Sequence, residues 1–344
     1  MLPEALLNLA LWDQLPLQEC EHLARYIEKY LPSSFRFVHM ATYEVGTQRR
    51  HIAHFDWQPP AEQAPVLFSL VPGATAILGF DQTHPFAVDD ELVLDWQDYC
   101  LEMQRACTRT SGASERDPYL KRQCEILEKA FVHHSEQIEK GPLIPHYEAF
   151  YEYLTHMLHP LRTVTLEPLL VEVGIEEAEE VLPQPVLTYF RYYHKAIKRE
   201  VTHINRQGHC SIPQRHVAAF LKQHGFRLLT ADEWEYVCAA GSRTLFYWER
   251  IADEPIMNEN SWMALRNAFG LSMVKDTYQW EYVDDPSLMT GGDGGWAACG
   301  GAGLFAQEVT RASAYYLPLN DKPINQGVYG PCFRRAYDLG YLLA

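Results

Sequence analysis

A helix-start pattern near residue 230 constrains the fold more than any other part of this sequence. Thr230 stands three residues before Glu233, the spacing at which each side chain satisfies a backbone N–H group at a helix N-terminus. Gly241 then supplies the left-handed backbone with which many helices end. The residues at helical spacing on one apolar face are Trp234, Val237 and Cys238. The pattern predicts a short helix whose apolar face lies in the core.

A second short helix is expected just upstream. Ser211 is in position to cap it, Pro213 falls in its first turn, and Gly225 follows its last apolar residue. Its apolar stripe consists of Val217, Phe220 and Leu221. One helix is therefore predicted on each side of Phe226–Leu229.

These segments resemble a known family. Arg227–Tyr236 (RLLTADEWEY) closely resembles the RLPTEAEWEY signature of the formylglycine-generating-enzyme, or sulfatase-modifying-factor, family. Leu70–Gly79 is similar to the LIPGGTFxMG hairpin that opens the family's domain, with two strands joined at Pro72-Gly73. Asn267–Leu271 resembles its NGFGL segment, and Phe333-Arg334 its terminal GFR.

The resemblance implies a fold and a domain organisation. It covers residues 66–80 and 163–338 and implies an α+β, C-type-lectin-like fold that is poor in regular structure. Residues 1–60 are then an N-terminal extension of helices followed by strands, and residues 61–344 are the family's domain. A helical insertion is expected at residues 90–160. The same lectin-like domain occurs in the sulfoxide synthases that make ergothioneine.

The charge balance restricts the partners. Lys and Arg number 29 against 45 Asp and Glu, a net charge of −16 that repels phosphate backbones and anionic membrane surfaces. No stretch approaches the ~20 apolar residues of a membrane-spanning helix. The apolar N-terminus lacks a basic segment and a small-residue cleavage site, so we expect a helix there rather than an export signal. Neither nucleic acid nor a membrane is predicted as a partner.

The eight cysteines predict a reducing compartment. They contain no Cys-x-x-Cys pair and are scattered among apolar neighbours. This usage is typical of buried free thiols, so a cytoplasmic location is expected.

The resemblance excludes two metals. Formylglycine-generating enzymes hold copper between two cysteines, and the corresponding positions here are Phe305 and Thr310. Their calcium sites use Asn and Glu oxygens, and Gln279 stands at the Glu position. Copper and calcium are therefore not expected, nor is conversion of a cysteine peptide to formylglycine.

Iron is the cofactor that the resemblance leaves open. In sulfoxide synthases, three histidines on a helical domain hold ferrous ion. The insertion offers His146, His156 and His159, and the last two would share one helix face at a spacing of i and i+3. The alternative is a plain helix surface.

A glycine-rich stretch is the other candidate site. The glycines of Gly291–Trp296 (GGDGGW) allow a ligand to approach the backbone closely, and Asp293 adds one carboxylate. The same stretch would also suit a surface loop. The family's groove should lie nearby. The ligand-contacting residues predicted for this groove are Trp280, Asp293, Trp296 and Arg334.

Two functions follow. The first is a binding module for a small molecule or a protein segment, without redox chemistry. The alternative is a nonheme-iron or other metal-dependent oxidoreductase that uses the insertion histidines. The missing copper cysteines favour the binding module, and the sequence leaves open whether the chain is an enzyme.

Overall fold

A computed structural model describes most of the chain. The described residues are 3–60, 64–81, 96, 99–100, 122–127, 129, 147–182, 211–248, 266–274, 278–295, 306, 308–319, 328–329 and 331–340.

The N-terminal part forms helices and then a hairpin. In chain order these elements are α1 (Glu4–Leu7), α2 (Leu9–Trp12), α3 (Leu17–Glu28), β1 (Phe35–Val45) and β2 (Gln48–Trp57). The chain thus passes from helices to strands between Glu4 and Trp57.

The remaining elements are short. They are β3 (Val66–Val71), β4 (Ala74–Leu78), α4 (Tyr147–Met157), β5 (Arg162–Leu166), β6 (Leu169–Glu172), β7 (Glu176–Glu177), α5 (Ala178–Val181), β8 (Ser211–Ile212), α6 (Gln214–Gln223), α7 (Ala231–Ala239), β9 (Glu281–Tyr282), β10 (Leu288–Thr290), β11 (Leu317–Pro318), β12 (Val328–Tyr329), β13 (Cys332–Phe333) and β14 (Ala336–Asp338).

Two five-stranded sheets organise these elements. The first has the order β1-β2-β3-β6-β14 and is antiparallel throughout. The second has the order β11-β10-β9-β13-β7, with β9 and β13 parallel. The N-terminal hairpin thus shares a sheet with β3, β6 and β14. Antiparallel sheets with few helices, as seen in the described residues, confirm the mixed α and β class.

Helix α7 begins as predicted. The Thr230 hydroxyl accepts the Glu233 N–H at 3.1 Å, and the Glu233 carboxylate accepts the Thr230 N–H at 2.8 Å. The left-handed end comes one residue earlier than predicted, because Ala240 (φ +50°) and Gly241 (φ +84°) both adopt it.

This helix is buried around most of its circumference. Its predicted apolar face lies in the core, with Trp234 only 1% exposed. Its two buried carboxylates pair with arginines: Glu233 with Arg227 at 2.7 Å and Glu235 with Arg162 at 2.8 Å. The Glu235 pair ties the helix to β5, and the Glu233 pair ties it to the segment just before it, where Arg227 also pairs with Asp338 of β14.

The predicted cap of the upstream helix is wrong. Ser211 lies in β8, where it pairs with Tyr329, and α6 starts after Pro213 with no side-chain cap. Gln214 instead donates to the carbonyl groups of Val283 and Asp284 at 3.0 and 2.9 Å. These bonds attach the start of α6 to the segment after β9.

The predicted hairpin at Pro72-Gly73 is also wrong. Two strands flank this dipeptide, but β3 pairs with β2 and β6, whereas β4 pairs with β5. The reason lies at Gly73, whose N–H and C=O bond to Leu6 and Leu9 at 2.9 Å each. The N-terminal helices therefore occupy both backbone groups of Gly73, and the chain passes from one sheet to another at this point.

The cysteine prediction holds for four of the described cysteines. These buried free thiols are Cys20, Cys100, Cys238 and Cys332. Cys124 is disulfide-bonded, so the expectation of free thiols is wrong for it. None of the helices in the described part of the chain has the length and hydropathy needed to cross a membrane.

We predict that Trp234→Ala lowers the free energy of unfolding by about 3–5 kcal/mol, because it leaves a cavity in the core. Trp234→Phe is the matched control. The indole N–H has no hydrogen-bond partner among the described residues, so phenylalanine loses volume only and should cost about half as much or less. Urea unfolding measures both, and an unchanged midpoint for Trp234→Ala would contradict the core position.

His54 is a fully buried histidine in the first sheet. The Tyr43 hydroxyl lies 2.7 Å from its Nε2, and the Ser69 hydroxyl lies 3.3 Å from its Nδ1. Burial, together with His39 and Arg266, lowers the pKa of His54 from 6.5 to about 4. The folded protein therefore keeps this imidazole neutral.

We predict that His54 destabilises the protein in mild acid. Below pH 6.5 the unfolded chain protonates His54 while the folded chain does not until about pH 4, so stability falls as the pH decreases through this window. The loss should reach about 3 kcal/mol. Urea unfolding across the window should show a smaller pH dependence for His54→Gln. The exposed His22→Gln is the control, and equal slopes for wild type and His54→Gln would refute the assignment.

Candidate functional site

A cavity of about 260 Å³ lies beside the second sheet. Four separate segments build it: the loop between β6 and β7, the loop after Leu271, the start of β9, and the residue after β10. The lining residues are Gly174, Ile175, Ser272, Val274, Gln279, Glu281 and Gly291. They combine one carboxylate, one amide and one hydroxyl with apolar surface, as small-molecule sites commonly do.

Arg334 holds three of these segments together. Its guanidinium is 1% exposed and donates to the carbonyl groups of Glu172 and Val173, each at 2.9 Å, and of Ser272 at 3.0 Å. It also pairs with both carboxylate oxygens of Glu281, at 3.1 and 3.2 Å. These bonds use all five N–H groups of the side chain. No donor is left for the ligand contact predicted for Arg334.

Asn267 positions the loop that contributes Ser272 and Val274. Its side-chain amide donates to the carbonyl groups of Val237 and Cys238 at the end of α7, at 2.6 and 3.1 Å. Its Oδ1 accepts two backbone N–H groups of its own loop. The loop is therefore anchored on the core helix before it reaches the cavity.

Two lining residues have positive φ angles, which residues other than glycine rarely adopt. Val274 has φ +40° although it is β-branched, and its carbonyl accepts the Arg311 Nε at 3.2 Å. Gly291 has φ +75°, and a Cβ there would lie 3.0 Å from the Trp234 ring. Strained backbone of this kind is concentrated at functional sites.

Gly174 differs from Gly291. A Cβ built at Gly174 meets no atom of the described residues within 4 Å, and the φ of Gly174 lies outside the left-handed range. The Cβ of a side chain at this position would therefore be unobstructed, at a residue that lines the cavity.

The predicted groove residues that the structure describes, Trp280, Asp293 and Arg334, do not line the cavity. Trp280 is 6% exposed, and its ring lies 3.1 Å from the Cβ position of Gly294. Its neighbours Gln279 and Glu281 line the cavity, because successive residues of an extended segment point to opposite sides. Trp296 lies outside the described residues.

Asp293 is not on a surface loop, contrary to the alternative considered for the glycine-rich stretch. It is fully buried, and its Oδ1 accepts the Gly295 N–H at 2.9 Å. Its charge acts on two buried phenols, Tyr153 and Tyr315, whose pKa values burial raises well above the ordinary range. Asp293 therefore faces the interior near α4 rather than the cavity.

The shared helix face predicted for His156 and His159 does not exist. Helix α4 ends at Met157, and His159 lies beyond it, stacked on Tyr316 with ring centroids 4.1 Å apart. Burial lowers the pKa of His159 to about 4. His146 lies outside the described residues. Within the described ranges, no group of three or more His, Cys, Asp or Glu side chains is placed to hold a metal.

Sequence reasoning missed most of the cavity lining. Gly174, Ile175, Ser272 and Val274 carry no motif, and they belong to two segments, distant in sequence, that Arg334 bonds together through the carbonyl groups of Val173 and Ser272. A visible signal was the glutamate-rich segment that follows Ile175.

The sequence matches no protein-family model and no curated protein.

We predict strong coupling between Arg334 and Glu281. Arg334→Met should lower the free energy of unfolding by about 3–5 kcal/mol, because it leaves a buried carboxylate without its partner. The double variant Arg334→Met/Glu281→Gln should be more stable than the sum of the two single changes, because no uncompensated charge remains. Urea unfolding of the four proteins gives the coupling energy. Additive effects would show that the pair is not the anchor of this site.

Proposed function

We propose that this protein is a binding module with a formylglycine-generating-enzyme-like domain, and that the cavity beside β9 holds a small ligand. The observation that carries the proposal is the cavity itself. Residues of four segments line it, and buried hydrogen bonds of Arg334 hold three of these segments together.

The size of the cavity points to a small ligand. Its volume of about 260 Å³ is just below the ~300–1,000 Å³ of most small-molecule pockets. Glu281, Gln279 and Ser272 supply polar groups that would orient a ligand, and Ile175 and Val274 supply apolar surface. A compact ligand or a single side chain of a protein segment suits this lining.

Three features support the lectin-like fold as part of the proposal. The signature segment begins α7 with the capping box, the Leu70–Gly79 segment contains β3 and β4, and Arg334 of the terminal motif is a buried anchor. The arrangement of β3 and β4 in separate sheets departs from the expected hairpin.

The oxidoreductase alternative gains no support from the described residues, because its premise of a shared helix face for His156 and His159 fails. Iron binding stays a prediction, which metal analysis of protein purified without a histidine tag would test.

We predict that Gly174→Leu abolishes ligand binding without unfolding the protein, because the Cβ of the new side chain is unobstructed at a residue that lines the cavity. The probe is a library of fragments with about ten heavy atoms or fewer, a size suited to a pocket of this class, screened by ligand-observed NMR. Wild type should bind members of the library that Gly174→Leu does not.

The matched control is Gly340→Leu. A Cβ at Gly340 also meets nothing closer than 4.0 Å, at a position outside the cavity lining. This variant should bind the same fragments as wild type. Fragments that bind Gly174→Leu as well as wild type would refute the cavity as the site.

A further inference from the structure

Strand β1 lies at the edge of the first sheet. It is the first strand in the order β1-β2-β3-β6-β14, and β2 is its one partner strand among the described residues. With eleven residues, Phe35–Val45, it is also the longest strand in the described part of the chain. Its other edge is therefore a long template to which a further strand can pair.

The hairpin turn shows which backbone groups face this edge. A two-residue turn joins Val45 to Gln48, so these two residues form a hydrogen-bonded pair. Hydrogen-bonded and non-hydrogen-bonded pairs alternate from there, and Met40, Thr42 and Glu44 fall in the non-hydrogen-bonded pairs with β2. Their N–H and C=O groups point away from β2, and within the described ranges no hydrogen bond satisfies these backbone groups.

One part of this edge is protected and the other is not. The Phe37 N–H donates to the Glu28 carboxylate at 3.0 Å, and a bulge follows at Val38. From His39 to Val45 the strand contains no proline and no lysine, two residues with which natural proteins block such edges. We call residues His39–Val45 the open edge.

The charges of the open edge suit an identical strand as its partner. Glu44 is its one formally charged residue, and the Glu44 carboxylate pairs with Arg49 of β2 at 3.2 Å. A second open edge can therefore approach without a like-charge contact, provided that the two Glu44 side chains do not lie opposite each other.

One antiparallel register meets this condition and uses every open backbone group. With Thr42 opposite Thr42 of a second copy, Met40 of each copy lies opposite Glu44 of the other. All three residues of both copies then form hydrogen-bonded pairs, with about six backbone hydrogen bonds in total. Centring the pairing on Glu44 would place two carboxylates opposite each other, and centring it on Met40 would place Thr42 opposite the bulge at Val38.

We propose that the open edge is a dimer interface, at which two copies of this chain pair antiparallel about Thr42. The first sheets of the two copies then form one continuous sheet. No residue that lines the cavity belongs to β1, so this inference is independent of the proposed ligand. The net charge of −16 on each copy opposes association at long range, and salt screens that repulsion beyond about 10 Å at 0.1 M.

Sedimentation velocity and hydrogen exchange test the dimer and its location. The wild type should show a reversible monomer–dimer equilibrium that added salt shifts toward the dimer. Hydrogen exchange resolved to single residues should slow with protein concentration at the N–H groups of Met40, Thr42 and Glu44. The N–H groups of Ala41 and Tyr43 are the internal control, because they already face β2 and should exchange at an unchanged rate.

Opposite charges at Thr42 test the two-fold register. Thr42 is exposed, so Thr42→Lys and Thr42→Glu should both fold. Each variant alone should dimerise at least about tenfold more weakly than wild type, because it places like charges opposite each other. An equimolar mixture of the two variants should recover a dimer, which also shows that both are folded. Thr165→Lys, at an exposed threonine of β5, is the matched control and should dimerise like wild type.

Three results would overturn the inference. A wild type that stays monomeric at every concentration and salt level excludes a second copy as the occupant and leaves the open edge to an extended segment of another protein. A dimer that both Thr42 variants retain is formed by a different surface. Recovery that fails in the mixture, with both variants folded by circular dichroism, excludes the register about Thr42. None of these results bears on fragment binding at the cavity.

Discussion

The five hydrogen bonds of Arg334 are the constraint on which the site depends. A buried guanidinium is tolerated only when its donors are satisfied, and here one carboxylate and three carbonyl groups do so. Those acceptors belong to the end of β6, the loop at Ser272 and the start of β9. The requirement to satisfy one charge therefore fixes the relative positions of the segments that enclose the cavity.

Local patterns predicted local structure well. The capping box at Thr230 and Glu233 depends on two residues one helical turn apart, and the helical spacing of Trp234, Val237 and Cys238 marks the face that the fold buries. The pairing of Glu235 with Arg162 and the crossing at Gly73 depend on contacts between distant segments. No local pattern encodes these contacts, which is why the hairpin prediction failed.

The site was predicted only in part, for the same reason. The first residue of the glycine-rich stretch, Gly291, lines the cavity. Trp280 does not, because side chains of an extended segment point alternately to opposite sides, and Asp293 is buried away from the lining. The histidine hypothesis assumed that α4 continues to His159, whereas it ends at Met157. Because the helix ends two residues before His159, the two histidines do not share the helix face that the hypothesis assumed.

The strand order of the first sheet also governs how the chain folds. The β1–β2 hairpin closes between residues that are close in sequence, whereas Val71 pairs with Leu169 and Leu169 in turn pairs with Asp338. Loops of roughly 100 and 170 residues must close before those pairings gain any stabilisation. One edge of strand β3 therefore stays unpaired until β6 has been synthesised, and one edge of β6 stays unpaired until β14 has been synthesised. During synthesis these edges are exposed to pairing with other chains, so the time the ribosome needs to reach residue 338 sets the period of greatest risk of aggregation.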